Sequence, residues 1–126
     1  MEEVKNKILI VEDYATLRTL LAKKLSKEGF NVEQAPDGET AVELIPTFRP
    51  NIVLLDIMMP GIDGYEVLRQ IRHNSDAEIA ATPVIMLSNL GDDEDIKKAM
   101  VSGADDYMIK SNITADDVIE KMKIYL

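Results

Sequence analysis

The sequence predicts an α/β domain of three layers, a doubly wound sandwich in which a five-stranded parallel sheet carries helices on both faces. Two observations support this prediction. Short runs that are apolar at every position alternate along the chain with stretches whose apolar residues recur at helical spacing. Such alternation requires crossover connections and therefore parallel strands. In addition, the 126 residues are the length of one domain and are enough to bury a core.

Five strands are predicted from these runs. Residues 8–11, 52–55 and 84–87 are apolar throughout, which is typical of central strands covered on both faces. Residues 31–35 and 107–110 are mixed in character, and they fit the outer strands of the same sheet.

Five helices are predicted after the strands. Gly29 is placed to end the first helix, as glycine commonly does. Pro46 and Pro50 are expected to close the second, and Thr114 with Asp117 resembles an N-terminal cap for the fifth. The apolar positions that define the helices are, in order, Leu17, Leu20, Leu21 and Leu25; Ala41, Val42 and Ile45; Val67, Leu68 and Ile71; Ile96, Ala99 and Met100; and Val118, Ile119 and Met122.

Composition argues against several classes of function. The net charge of −9 disfavours direct binding to nucleic acid or to an anionic membrane surface, because both are polyanions. The chain has no cysteine and one histidine, which excludes disulfides, thiolate chemistry and a zinc site built on cysteine. No apolar run exceeds four residues, far fewer than membrane insertion needs. With no signal-peptide pattern, a cytoplasmic protein is expected.

Polar residues of chemical interest follow four of the predicted strands. Glu12 and Asp13 come directly after the first strand and Asp56 after the third. Ser88 follows the fourth strand, and Lys110 lies at the end of the fifth. Because ligands of an open parallel sheet bind at the carboxyl ends of its strands, these five side chains are expected to converge at one edge.

The expected cluster suits the transfer of a phosphoryl group. Crowded carboxylates repel one another, and a hard divalent cation such as Mg²⁺ relieves that repulsion through oxygen ligands. A lysine ammonium holds phosphate oxygens, and a serine hydroxyl donates a hydrogen bond. A metal, an ammonium and a hydroxyl around one carboxylate make a site that moves a phosphoryl group onto it, and Asp56 is the central candidate.

Four segments carry a family resemblance: residues 7–13 (KILIVED), 53–64 (VLLDIMMPGIDG), 83–88 (PVIMLS) and 103–110 (GADDYMIK). In this order and spacing they make the chain resemble a two-component response-regulator receiver domain, of the chemotaxis type that acts as a single domain. The resemblance spans residues 7–125. It implies a flavodoxin-like (βα)5 fold with strand order 2-1-3-4-5 and one receiver domain over residues 1–126, either complete or excised from a longer regulator.

The resemblance also implies roles for the acidic residues that match the family's motifs. Asp56 corresponds to the phosphoryl acceptor and is also one of the ligands of the metal. Asp13 directly, and Glu12 largely through water, correspond to the acidic pair that holds Mg²⁺ or Mn²⁺. The backbone carbonyl of Met58 corresponds to the remaining protein ligand of that metal.

The other matched residues imply a switch. Ser88 and Lys110 correspond to the residues that bind the phosphoryl group, and Tyr107 to the aromatic residue whose rotamer follows the movement of Ser88. The implied protein takes its phosphoryl group from a sensor histidine kinase or a phosphotransfer protein. It is not an enzyme beyond catalysing its own phosphorylation and dephosphorylation. It binds an unknown downstream protein through the surface of its fourth helix, fifth strand and fifth helix.

The chain departs from the family's pattern at two positions near the site. Ser111 follows Lys110, where the family usually has proline after a cis peptide bond. Asn89 stands where alanine or glycine is more usual, and its side chain either hinders the phosphoryl group or donates a hydrogen bond to it.

Two other functions share the strand–helix rhythm but fit the residues less well. A flavodoxin-like mononucleotide-binding module needs a loop after the first strand that cradles phosphate, and Glu12 with Asp13 would repel phosphate there without a metal. A haloacid-dehalogenase-type phosphatase needs a second aspartate two residues after its nucleophile. Met58 occupies that position relative to Asp56, and it cannot transfer a proton.

Overall fold

A computed structural model describes residues 5–126, apart from the side chain of Asn112; residues 1–4 of the predicted domain lie outside this range. Five strands form one parallel sheet in the order β2-β1-β3-β4-β5, and helices cover both faces, which confirms the predicted doubly wound sandwich. The elements are β1 Lys7–Val11, α1 Ala15–Lys27, β2 Asn31–Ala35, α2 Gly38–Phe48, β3 Ile52–Asp56, α3 Gly64–Arg72, α4 Ala77–Ala80, β4 Val84–Ser88, α5 Asp93–Val101, β5 Asp106–Ile109, a 3₁₀ turn Lys110–Asn112 and α6 Ala115–Lys123.

The registers of the sheet align the carboxyl ends of the central strands. Val11 at the end of β1 pairs with Leu55 in β3, and Ser88 at the end of β4 pairs with Ile109 at the end of β5. Residues at or just beyond these ends therefore meet at one edge of the sheet, as the sequence predicts.

Successive residues of each central strand contribute to two separate cores. Leu9 and Leu55 belong to a cluster with side chains of α2, α3 and α5. Ile10 and Leu54 belong to a second cluster with side chains of α1 and α6. This division follows from the two-residue period of a strand, and it explains why the central strands are apolar at almost every position.

Helix α2 continues through Pro46 to Phe48, so the predicted closure at Pro46 is wrong. A proline in the last turn removes only one N–H from the helix, and the Arg49 N–H still donates to the Ile45 carbonyl at 2.9 Å. The helix ends at Phe48, and the next residue, Arg49, has a left-handed φ of 51°.

Helix α4 adds a sixth helix to the five predicted. Its four residues are too few to show a helical period in the sequence. It begins at Asp76, whose side chain accepts hydrogen bonds from the N–H groups of Glu78 and Ile79. The same carboxylate pairs with Arg49 at 2.9 Å, so a residue distant in sequence helps to hold this short helix in place.

Two residues assigned to buried helix faces are exposed. Leu20 of α1 and Met100 of α5 are 52% and 43% exposed. Each lies one residue step, roughly 100° around the helix, from a buried neighbour, Leu21 or Ala99. Among residues 5–126, no helix combines the length and apolar character needed to cross a membrane.

Candidate functional site

An open cleft of about 460 Å³ lies at the carboxyl edge of the sheet. It brings together six of the seven residues that the sequence singled out; Tyr107 is not among the lining residues. The cleft is lined by Glu12, Asp13, Tyr14, Leu17, Asp56, Met58, Ser88, Asn89, Lys110 and Ser111.

Three carboxylates form an acidic cluster in this cleft. Glu12, Asp13 and Asp56 each offer an oxygen that lies within 4.8 Å of the others. Glu12 and Asp56 are 1% and 4% exposed, whereas Asp13 is exposed to solvent. The cluster is therefore buried on its protein side and open at Asp13, and its all-oxygen donor set fits a hard divalent cation.

Glu12 is fixed at its backbone and at one carboxylate oxygen. Arg18 donates to its carbonyl at 2.9 Å, and the Tyr14 N–H donates to Oε2 at 3.1 Å. Lys110 Nζ lies 2.5 Å from Oε1, yet this oxygen has no aligned hydrogen bond from any residue in the described range. The Lys110 ammonium therefore already compensates part of the charge on this buried oxygen. No motif marks Arg18, so its contact with Glu12 is not predicted from the sequence.

Lys110 bridges two of the three carboxylates. Its ammonium lies 3.0 Å from Asp56 Oδ2 as well as beside Glu12. Strand β5 ends at Ile109, one residue earlier than predicted, and Lys110 opens the 3₁₀ turn. Burial alone would lower the pKa of Lys110, but its contacts with Glu12 and Asp56 outweigh burial and raise that pKa. The side chain is therefore cationic at neutral pH.

Ionisation of the Asp56 carboxyl is unfavourable when no divalent metal ion is bound beside it. Burial raises the pKa of its carboxyl to about 7, the Lys110 ammonium opposes this shift, and the neighbouring Glu12 adds to it. A divalent cation beside Asp56 would favour the carboxylate form, which is the form that can attack as a nucleophile.

Ser88 and Tyr107 both bond to the backbone of Leu90. The Leu90 N–H donates to Ser88 Oγ at 3.1 Å, and the Tyr107 hydroxyl donates to the Leu90 carbonyl at 2.6 Å. Ser88 is buried and Tyr107 is half-buried. The loop after β4 therefore connects the two residues that the sequence assigns to the switch.

The loop between β3 and α3 depends on two glycines. Gly61 has a φ of 78°, in the left-handed region that favours glycine. A Cβ on Gly64 would overlap the Asp56 carbonyl oxygen and lie 2.8 Å from the Ile57 Cα. The Gly64 N–H also donates to the Ile57 carbonyl at 2.8 Å. The start of α3 is thus packed directly against the end of β3.

Ser111 lies within the 3₁₀ turn Lys110–Asn112. No peptide bond among residues 5–126 is cis, so the chain leaves Lys110 through a trans bond. Helix α6 then begins with the predicted cap, in which Thr114 and Asp117 exchange hydrogen bonds of 2.9 and 3.2 Å between side chain and backbone.

Comparisons with known proteins agree on one family. The family described as "Response regulator receiver domain" matches residues 8–123. The probable transcriptional regulator ycf27 of Guillardia theta is 46% identical over 108 residues, which are 86% of this chain and 41% of that protein. The chain spans less than half the length of this relative and of the other curated transcriptional regulators that it matches most strongly.

Solved structures show the same likeness. Chemotaxis protein CheY4 of Vibrio cholerae superposes with a TM-score of 0.89 over 98% of this chain and 100% of that one, and its 24% identity limits the likeness to the fold. The receiver domain of the Francisella response regulator 1452 is 30% identical, with a TM-score of 0.86 and 96% of each chain covered.

Proposed function

Because this chain belongs to the response-regulator receiver domain family, we propose that it accepts a phosphoryl group on Asp56 from the phosphohistidine of a sensor histidine kinase or a phosphotransfer protein. The observation that supports this proposal is the environment of Asp56. Its buried carboxylate shares the cleft with two further carboxylates whose oxygens lie within 4.8 Å, and Lys110 Nζ lies 3.0 Å away.

Six residues of the cleft have roles in the proposed transfer. An Asp56 oxygen attacks phosphorus, and the bond from phosphorus to the imidazole nitrogen breaks with its electron pair leaving on the imidazole. Lys110 and Ser88 hold the phosphoryl oxygens through charge-assisted hydrogen bonds. Glu12, Asp13, Asp56 and the Met58 carbonyl would hold Mg²⁺ or Mn²⁺, which when bound neutralises charge on the carboxylate and phosphoryl oxygens.

The proposed output is a change of partner binding. Ser88 exchanges its bond with the Leu90 N–H, now 3.1 Å long, for one to the phosphoryl group, and the Tyr107 ring follows. The surface of α5, β5 and α6 then presents a different face to a downstream protein. We place this switch in the cytoplasm, with residues 1–126 acting as one receiver domain.

Phosphorylation by acetyl phosphate and Mg²⁺ tests the proposal. The intact mass of the wild type should rise by one phosphoryl group, and the mass of Asp56→Asn should not. Asp116→Asn, at an exposed position on α6, is the matched control and should be labelled like the wild type. Chelation of Mg²⁺ should abolish labelling. Equal labelling of Asp56→Asn and wild type would reject Asp56 as the acceptor.

A further inference from the structure

Glu39, in the first turn of α2, contacts the loop that follows β3. Its Oε1 accepts a hydrogen bond from the Ile62 N–H at 2.9 Å. A Cβ added to Gly61 would lie 2.5 Å from the same oxygen and 3.0 Å from Oε2. The carboxylate therefore both binds one backbone N–H of the loop and packs against the neighbouring backbone.

Gly38 supplies a second, independent contact with the same loop. A Cβ on Gly38 would lie 2.5 Å from Ile62 Cγ1 and 2.9 Å from the Ile62 carbonyl oxygen. Helix α2 thus begins directly against Ile62. The start of α2 is itself capped by Asp37, whose side chain accepts from the Thr40 N–H at 2.7 Å, so the loop is held against a well-defined helix end.

The loop is fixed at its other end by Gly64, which packs against the backbone of Asp56 and Ile57. Met58 lies between Ile57 and the Glu39 contact at Gly61 and Ile62. Its own side chain is 65% exposed, whereas its neighbours Ile57 and Met59 are buried. The backbone position at Met58 is therefore set by the packing of Ile57 and Met59 together with the two attachments, one at Gly64 and one at Glu39.

We propose that Glu39 is a positioning residue for the metal site: by holding Gly61 and Ile62 it places the Met58 carbonyl for the divalent cation. This inference rests on the proposed function, in which that carbonyl is a ligand. The acceptor oxygen of Glu39 performs this role. Its charge contributes little, because Glu39 is exposed and exposed charges are screened by solvent and salt.

Calorimetric Mg²⁺ titration of four proteins tests this inference: wild type, Glu39→Ala, Glu39→Gln and Glu43→Ala. Glu39→Ala should bind Mg²⁺ about fivefold more weakly, the effect of one lost hydrogen bond. Glu39→Gln keeps an acceptor oxygen and should stay within about twofold of wild type. Glu43→Ala removes the same charge from an exposed position on the same helix and should match wild type.

A second readout uses the metal-free proteins. Hydrogen exchange of the Ile62 amide should be faster in Glu39→Ala than in wild type and unchanged in Glu39→Gln, with thermal melts showing that all four proteins fold. Equal Mg²⁺ affinity of Glu39→Ala and wild type would overturn the inference and leave the proposed function intact. An equal loss in Glu39→Gln and Glu39→Ala would assign the effect to charge and also overturn it. Failure of the wild type to bind Mg²⁺ would overturn the proposed function, and this inference with it.

Discussion

At the scale of single residues, the three carboxylates of the cleft differ in what already holds them. Asp56 is buried and pairs with Lys110 at 3.0 Å. Glu12 is buried too, and it contacts both Lys110 and the Tyr14 N–H. Asp13 is exposed, so it can bind a cation without breaking a buried contact. These differences lead to separate predictions for Asp13 and Asp56.

We expect Asp13→Ala to bind Mg²⁺ at least about tenfold more weakly than the wild type. We expect the loss of affinity in Glu12→Ala to be smaller. The proposed function makes Asp13 a direct ligand and Glu12 a ligand largely through water. One oxygen of Glu12 also forms an ion pair with the Lys110 ammonium. Calorimetric titration of both variants measures the order of affinities. The reverse order, or no loss in Asp13→Ala, would contradict the assignment.

We expect Asp56→Asn to stabilise the metal-free domain increasingly as the pH rises from about 4 to 7. The folded pKa of Asp56 is about 7, against about 3.9 when unfolded. Because the pKa of Asp56 is higher in the folded state, its protonated form stabilises the fold fully at pH values below the unfolded-state pKa. This stabilisation is lost as the pH rises through the folded-state pKa. Asparagine does not titrate, so the variant keeps that stability.

The free energy of unfolding of Asp56→Asn should exceed that of the wild type by about 1–3 kcal/mol at pH 7.5, and the two should be nearly equal at pH 4. Urea denaturation at several pH values measures it. Added Mg²⁺ should narrow this difference by stabilising the wild type more than the variant, which lacks the Asp56 carboxylate as a ligand. A difference that does not change between pH 4 and 7.5 would show that Asp56 titrates normally.

At the scale of elements, the loop between β4 and α5 links the cleft to the surface proposed for output. Leu90 accepts from the Tyr107 hydroxyl through its carbonyl and donates to Ser88 through its N–H. In the proposed switch, a shift of Ser88 toward a phosphoryl group would break its hydrogen bond with Leu90, the residue whose carbonyl also binds the Tyr107 hydroxyl. The phosphoryl group can shift the equilibrium between the two positions of Ser88 only through bonds that it makes in one position and not in the other.

We expect Ser88→Ala to accept a phosphoryl group on Asp56 but to transmit less of the change. Amide chemical shifts of residues 88–112, with and without beryllofluoride as the phosphoryl mimic, measure the response. The shifts at Tyr107 should shrink in Ser88→Ala and remain in Ser26→Ala, an exposed control on α1. Wild-type shifts at Tyr107 in Ser88→Ala would show that the proposed coupling does not pass through Ser88.

At the scale of the whole molecule, Arg72 ties helix α3 to the starts of two strands. It donates to the carbonyls of Ala80 and Thr82 before β4, at 2.9 and 2.7 Å. It also donates to the Gly103 carbonyl and to Asp105 before β5, each at 2.9 Å. These contacts lie at the amino ends of the strands, opposite the cleft, so we assign Arg72 to stability.

We expect Arg72→Ala to lower the free energy of unfolding by about 2–4 kcal/mol, because it leaves three carbonyls without their side-chain donor. The Asp105 carboxylate loses its ion pair with Arg72 and keeps the hydrogen bond from the Val84 N–H. Arg69→Ala is the matched control on the same helix. Arg69 pairs with Glu66 at an exposed position, and such pairs contribute less than about 1 kcal/mol. Equal midpoints of the two variants in urea would contradict the role given to Arg72.

Local sequence signals determined much of this structure. The apolar runs predict the three central strands because strands covered on both faces have no polar side. The cap at Thr114 and the stop at Gly29 are predicted because each acts through its own backbone neighbours. The sequence also predicts that one cleft brings together Glu12, Asp13, Asp56 and the partners of Asp56, because parallel strands bring their carboxyl ends to one edge.

Features that depend on contacts between distant segments were decided only by the tertiary structure. Arg49 holds α4 from 27 residues away, and Arg72 reaches segments up to 33 residues away, at spacings that no local pattern encodes. Leu20 is exposed because the orientation of α1 on the sheet, and not its period alone, decides which positions are buried. The bond from Ile62 to Glu39 likewise exists only because α2 packs beside the loop after β3. Short-range signals specify the elements and the edge where they meet, while the side chains that fix those elements in place come from anywhere in the chain.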